Sequence, residues 1–161
     1  MFTRTHHCGN LRKEQASQTA TLMGWVHRRR DHGGLIFIDL RDHTGITQIV
    51  FNPDIDTASH TDAHALRSEY VLAVTGTVMI RPAETENPAI STGAIEVFVT
   101  RLDILNTSKT PPFLLEDDPG ADEPVRMKYR YLDLRRAPMQ RTLRVRHESL
   151  HMIRDTSTPR A

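Results

Sequence analysis

Cysteine is nearly absent. Cys8 is the only one in 161 residues, which excludes an intrachain disulfide and a thiolate zinc cluster and fits a reducing compartment. No apolar run reaches the roughly 20 residues that cross a bilayer, and the N-terminus lacks the apolar stretch of a secretory signal. The chain therefore reads as cytoplasmic, with no membrane partner. No Ser-His-Asp set, P-loop or G-x-G-x-x-G is present, which removes the commonest routes to acyl and phosphoryl chemistry. Aromatics are only 6% of the residues, so one that sits among charges calls for a reason.

Net charge is also small, at +1, but it is unevenly placed. Residues 1–30 hold six Lys/Arg against one acid, residues 103–123 hold six acids against one lysine, and residues 126–154 hold nine Lys/Arg against two acids. Two basic segments around an acidic one suit a polyanion touched in two places. Solvated surface charge is the plainer reading, and for the acidic stretch the better one.

The hydrophobic pattern gives the organisation. Residues 10–18 (NLRKEQASQ) read as a short helix capped by Asn10. Residues 21–29 alternate, with Met23, Trp25 and His27 on one side and Leu22, Gly24 and Val26 on the other. Gly33-Gly34 turns the chain into a second strand, 35–41, and His43-Thr44-Gly45 turns it into a third, 46–51. Residues 62–69 are helix-like, 70–80 and 94–105 are strands, and 81–93 is a loop bearing Pro and Asn. Three strands, a helix and two more strands is the order of an OB-fold, a small five-stranded barrel. The fold class is thus all-β with small helical additions. The expected domains are a barrel over 1–105, an acidic Pro-rich hinge over 106–125, and a basic segment with a helix over 126–161. Within the last, Met139, Leu143, Leu150 and Ile153 share one face of an amphipathic helix beginning at Pro138.

Phe37 is the aromatic that calls for a reason. With Ile36, Ile38 and Leu40 inside the barrel, Leu35, Phe37, Asp39 and Arg41 point outward. An exposed aromatic beside charges is a stacking platform for an unpaired base, and Arg28, Arg29 and Arg30 enter the same region where they can hold phosphates. A Phe37 packed under a loop beside solvated arginines fits the pattern equally well.

His147-Glu148-Ser149-Leu150-His151 matches the H-E-x-x-H signature of zinc peptidases. A catalytic zinc needs a third protein ligand, and Asp155 lacks the usual spacing. Arg144, Arg146 and Arg154 would repel a dication, and Leu150 lies on the apolar face. No metal site is expected.

The segments RTHHCGNLR, TLMGWVHRRRDHGGLIFIDLRDHTGITQIVFNPD, VTGTV, STGAIEV and RMKYRYLDLRR together closely resemble the N-terminal region of bacterial-type aspartyl-tRNA synthetases, from about residue 3 to about residue 155. The resemblance implies an OB-fold that binds the anticodon of aspartate tRNA. By position, Phe37 matches the aromatic that stacks on the middle anticodon base, Arg30 an arginine that contacts the anticodon, and Gln48 a glutamine that reads a base edge. Glu96 matches the acid near the first anticodon base, a guanine or its modified form. Arg67 and Arg81 match positions that approach the anticodon stem-loop. Strict alternation puts Gln48 beside Ile46 and Val50, so an outward Gln48 is expected to need a bulge.

In that family a class II catalytic domain follows, carrying the ATP, magnesium and aspartate sites, and full-length members are homodimers. Those catalytic motifs are not in this sequence, and its last residues, TSTPRA, do not follow the family. The expectation is a chain that is inactive as a ligase by itself, holds no cofactor and is monomeric, with aspartate tRNA as its partner. A free-standing OB module that binds single strands without base preference is the alternative.

Overall fold

Apolar side chains at every second position drive five strands into a closed barrel in the order β1-β2-β3-β5-β4. They are β1 Thr19–His32, β2 Leu35–Arg41, β3 Ile46–Phe51, β4 Val71–Ile80 and β5 Ile95–Asn106. The structure, a computed structural model, describes residues 3–157. All neighbours pair antiparallel except β3 with β5, which run parallel. That is the OB-fold expected from the element order. Leu22, Ile38, Ile49, Phe51, Leu72 and Val97 are fully or almost fully buried inside. Each such side chain contributes about 1.5–3 kcal/mol on leaving water.

Local chemistry sets the ends. Gly33 and Gly34 have φ of +60° and +80°, so the hairpin joining β1 to β2 needs two residues in the left-handed region, as a type I′ turn does. Helix α1 runs over Thr57–Ala63 and not over 62–69, because Asp56 caps it, accepting from the Ser59 N–H at 2.9 Å. The expected helix over 10–18 is reduced to one 3-10 turn, Lys13–Gln15, entered from Arg12 and not from Asn10. Ser17 leaves it at φ +67°, a value a continuing helix cannot contain.

Asp42, in the turn between β2 and β3, pins the N-terminal segment to the barrel. One carboxylate oxygen accepts from the Cys8 N–H at 2.9 Å and faces His7 Nδ1 at 3.2 Å. The other accepts from the Thr44 N–H and hydroxyl, both at 2.7 Å. Burial raises its pKa, but the bonds from Thr44, Cys8 and His7 outweigh it and hold the group below the usual carboxylate range. A depressed folded value means stability that is present above about pH 4, the unfolded value, and lost as pH falls through the lower folded one. An amide oxygen can serve only one of the two donor sets, so Asp42→Asn should cost about 1–2 kcal/mol at neutral pH. Urea melts should show the gap closing on acidification; a gap independent of pH would contradict this account. Burial also pushes the neighbouring Cys8 thiol up, out of the reactive range.

Residues Pro111–Ala161 form a second compact unit. The expected hinge over 106–125 therefore divides, since β5 runs to Asn106 and the stretch from Pro111 packs within this unit. Phe113 is buried, and Arg136 Nη1 donates to the Asp117 carbonyl at 2.7 Å. Helices α2 (Glu123–Lys128) and α3 (Arg130–Asp133) precede a long α4 (Ala137–Ser157). The basic run here is partly internal wiring. Asp133 is fully buried and accepts from Arg136 Nε at 2.7 Å and Arg130 Nη1 at 2.5 Å. Leu150, on the apolar face of α4, is exposed with Leu143, Val145 and Ile153, because no described residue of the unit covers that side of α4.

Candidate nucleic-acid interface

Strict alternation along β1 would put Arg28 and Arg30 on the face of Leu22 and Val26, inside the barrel. A bulge at His27 prevents this: Val26 opposes Leu40, but Arg28 opposes Asp39. The extra residue swaps inside and outside for everything after it. Arg28 and Arg30 thereby join Asp39 and Phe37 on the outer face. Arg29 takes the Ile38 side, with a buried Nε that has no hydrogen-bond partner among the described residues. Arg41 holds the bulge. Its Nη1 lies 2.9 Å from His27 Nδ1, and its Nη2 donates to both oxygens of Glu69 at 2.8 Å. Glu69 is buried, has φ +64°, and its N–H donates to the Val26 carbonyl at 2.8 Å.

No bulge is needed at Gln48. The β2–β3 register is unbroken and sets Gln48 opposite Asp39, and Val50 opposite Phe37. Thr47, Ile49 and Phe51 are the inward set, so the expectation of a break was wrong in taking Ile46 and Val50 for core. Val50 is buried although it faces outward. On β3 and β5, Val50 pairs with Phe98 and Ile49 with Val97, which brings Gln48 beside Glu96. Glu96 in turn opposes Met79, and Phe98 opposes Thr77, on β4.

Two parallel rows of side chains thus cross the outer face. One runs Arg28, Asp39, Gln48, Glu96, Met79, and the other Arg30, Phe37, Val50, Phe98, Thr77. The polar row is a connected network. Arg30 Nη2 donates to Asp39 Oδ1 at 2.6 Å and to Gln48 Oε1 at 3.1 Å, and Gln48 Nε2 donates to Glu96 Oε2 at 2.8 Å. A cation on one side and a carboxylate on the other fix which end of the amide is oxygen. Arg81 closes the row: its Nε donates to the Ile95 carbonyl at 2.9 Å and lies 3.8 Å from Glu96 Oε2. Burial pulls its pKa down while Glu96 and Asp39 pull it up, with a net lowering. Its buried Nη2 has no hydrogen-bond partner among the described residues.

Five of the seven expected residues therefore meet in or beside one network: Arg30, Phe37, Gln48, Arg81 and Glu96. Arg28 is exposed on the same face. Arg67 lies elsewhere, after α1, where Nη1 donates to the carbonyls of His64 and Leu66 at 2.8 and 2.9 Å. Phe98, Arg41 and Glu69 were not anticipated. Alternation through Glu96, Phe98 and Thr100 carried the signal for Phe98; nothing local in the sequence marks the Arg41–Glu69 pair.

Of the outer-face carboxylates, Asp39 is held by Arg30, and Glu96 by Gln48 and Arg81. His7, Asp42 and His43 cluster in the loops, but Asp42 already accepts bonds on both oxygens. His151 Nδ1 is spent on exposed Asp155 at 2.9 Å. No helix among the described residues is long and apolar enough to cross a membrane.

An OB barrel presenting arginines, a glutamine and a half-buried phenylalanine on one face has the make-up of a nucleic-acid reader. Residues 20–105 match the family model of the OB-fold nucleic acid binding domain, the tRNA anti-codon family, and the chain belongs to that family. It is 56% identical over 152 residues to the aspartate–tRNA(Asp/Asn) ligase of Desulfotalea psychrophila, covering 94% of this chain and 25% of that protein. It is 52% identical over 155 residues to the aspartate–tRNA ligase of Halalkalibacterium halodurans, covering 96% and 26%. The chain thus spans about a quarter of the length of these curated relatives. Among solved structures, asparaginyl-tRNA synthetase from Pyrococcus horikoshii superposes with a TM-score of 0.70 at 26% identity, over 84% of this chain and 29% of that one. Aspartyl tRNA synthetase from Entamoeba histolytica gives 0.79 at 17% identity, over 89% and 35%, a likeness of fold alone.

Proposed function

We propose that the outer face reads the anticodon of aspartate tRNA, as the recognition domain of an aspartate–tRNA ligase. The observation that carries this is Gln48, held between Arg30 and Glu96 and set diagonally beside Phe37. An oriented amide and a carboxylate next to an aromatic offer hydrogen-bond partners for base edges and a platform for one ring. Glu96 accepts, so it suits the N1–H and exocyclic amine of a guanine and repels the acceptor edge of an adenine N1 or cytosine N3. Arg28 and Arg30 supply the charge that meets phosphate. The names of the relatives support aspartate tRNA over other RNAs, and the ligation itself would belong to the parts of such proteins that this chain does not span.

The test is titration with the anticodon stem-loop of aspartate tRNA, the same stem-loop with an altered anticodon, and the asparagine stem-loop. Tighter binding of the aspartate stem-loop than of the altered one is expected. Equal binding of all three would leave an OB module without base preference, since phosphate contacts do not distinguish sequence. The asparagine arm reports which of the two specificities named among the relatives this face has. Gln48→Ala should weaken the matched stem-loop more than the altered one. Arg30→Ala should weaken both and reduce the slope of log K against log salt by about one or less. It also strands Asp39, a negative charge facing RNA. An unchanged slope would remove Arg30 from the phosphate contacts.

A further inference from the structure

The second outer row does not end at Phe37. It continues through buried Val50 to Phe98, and a groove of ≈ 290 Å³ opens there, lined by Ile55, Thr77, Met79, Phe98 and Thr100. Ile55 and Met79 are 47% and 43% exposed there. We infer that this groove seats a second unpaired base of the same RNA strand, one outside the base stacked on Phe37, with Phe98 as its stacking surface.

Continuity argues for that occupant. Phe37 and Phe98 share one row, separated only by β3, so they lie two strand spacings apart, about 10 Å. A strand crossing Phe37 needs no new direction to reach Phe98. The groove is at the small end of ligand pockets, the scale of one planar heterocycle. Its lining offers an aromatic ring, a polarizable thioether, an aliphatic wall and two hydroxyls, with no charge. That composition takes the face of any base and leaves the Thr77 hydroxyl for an edge or ribose, while Thr100 Oγ1 donates to the Thr75 carbonyl at 3.2 Å. Base identity is therefore read weakly here and strongly at Gln48 and Glu96. The inference rests on the proposed RNA-reading face.

The experiment is a coupling measurement on the full chain. Affinities for the aspartate anticodon stem-loop are compared among the parent, Phe37→Ala, Phe98→Leu and Met79→Ser, with stem-loops made abasic at each loop position in turn. Met79 is exposed, so its variant keeps the barrel whichever way Phe98→Leu folds. Phe98→Leu should lose about 5- to 150-fold in affinity, the equivalent of one stacked base, and Met79→Ser a few-fold. Both losses should vanish on the RNA lacking one particular base, and that base should differ from the one coupled to Phe37. If Phe37→Ala weakens binding but neither groove variant does, or all couple to one base, the groove is not a second seat. If none of the three variants weakens binding, the RNA-reading face itself is wrong. A chain that sediments as a dimer without RNA, and as a monomer as Met79→Ser, would make the groove a self-association surface and overturn the inference.

Discussion

Arg41→Ala should unfold the barrel at markedly lower urea, with a loss of about 3–5 kcal/mol. That is the usual cost of removing one partner from a buried ion pair. The pair qualifies: the side chains of Arg41 and Glu69 are only 14% and 7% exposed, with Nη2 at 2.8 Å from the carboxylate. Loss of the guanidinium leaves Glu69 buried, charged and held at positive φ, and it strips the bulge at His27 of its brace. Glu69→Ala should be costly for the reciprocal reason, and the double variant should cost clearly less than the two single losses added, because the pair acts as a unit. Binding supplies a second readout. At a temperature where Arg41→Ala is still folded, its affinity for the stem-loop should drop as well, since the bulge is what turns Arg28 and Arg30 outward. Stability within about 0.5 kcal/mol of the parent, the range of an inert surface change, would show that the bulge needs no brace.

Phe37→Ala should weaken the matched stem-loop by about 1–3 kcal/mol, the value of one base stacked on an aromatic, while the salt slope stays near that of the parent. The two readouts separate causes: a stack has no counterions to release, whereas a lost phosphate contact would flatten the slope. The register makes the change mild for the fold, because Phe37 points away from the core and stands over Val50. Melting and binding should therefore part company, with a modest stability loss and a large affinity loss. A well-folded variant that binds as tightly as the parent would reduce Phe37 to a cover for Val50.

Much of this was legible from the chain alone. The strands β2 and β3 lie where the alternation and the two turn signals put them, and the element order gave the fold. Each is a local matter: period-2 patterning declares a half-buried strand, and Gly33-Gly34 declares the turn. Helices were read less well. The stretch at 10–18 has helical composition, but too few residues to propagate a helix without packing. Conversely α1 has unremarkable propensity and is started by the Asp56 cap.

Pattern along the chain supplied the inventory of five strands, a glycine hairpin and an outward phenylalanine, and the family resemblance added Arg30, Gln48, Arg81 and Glu96. How they face one another is settled by the closed barrel. Side-chain direction in a strand depends on counting residues from a fixed point, and one inserted residue reverses everything beyond it. The bulge at His27 is stabilised by Arg41 and Glu69, residues 14 and 42 positions further on, so no local pattern could announce it. For the same reason Gln48 needed no break, and Phe98 joined the row of Phe37 only because β5 closes against β3 in parallel. A parity set by long-range contacts is invisible along the chain and fixed once the barrel shuts.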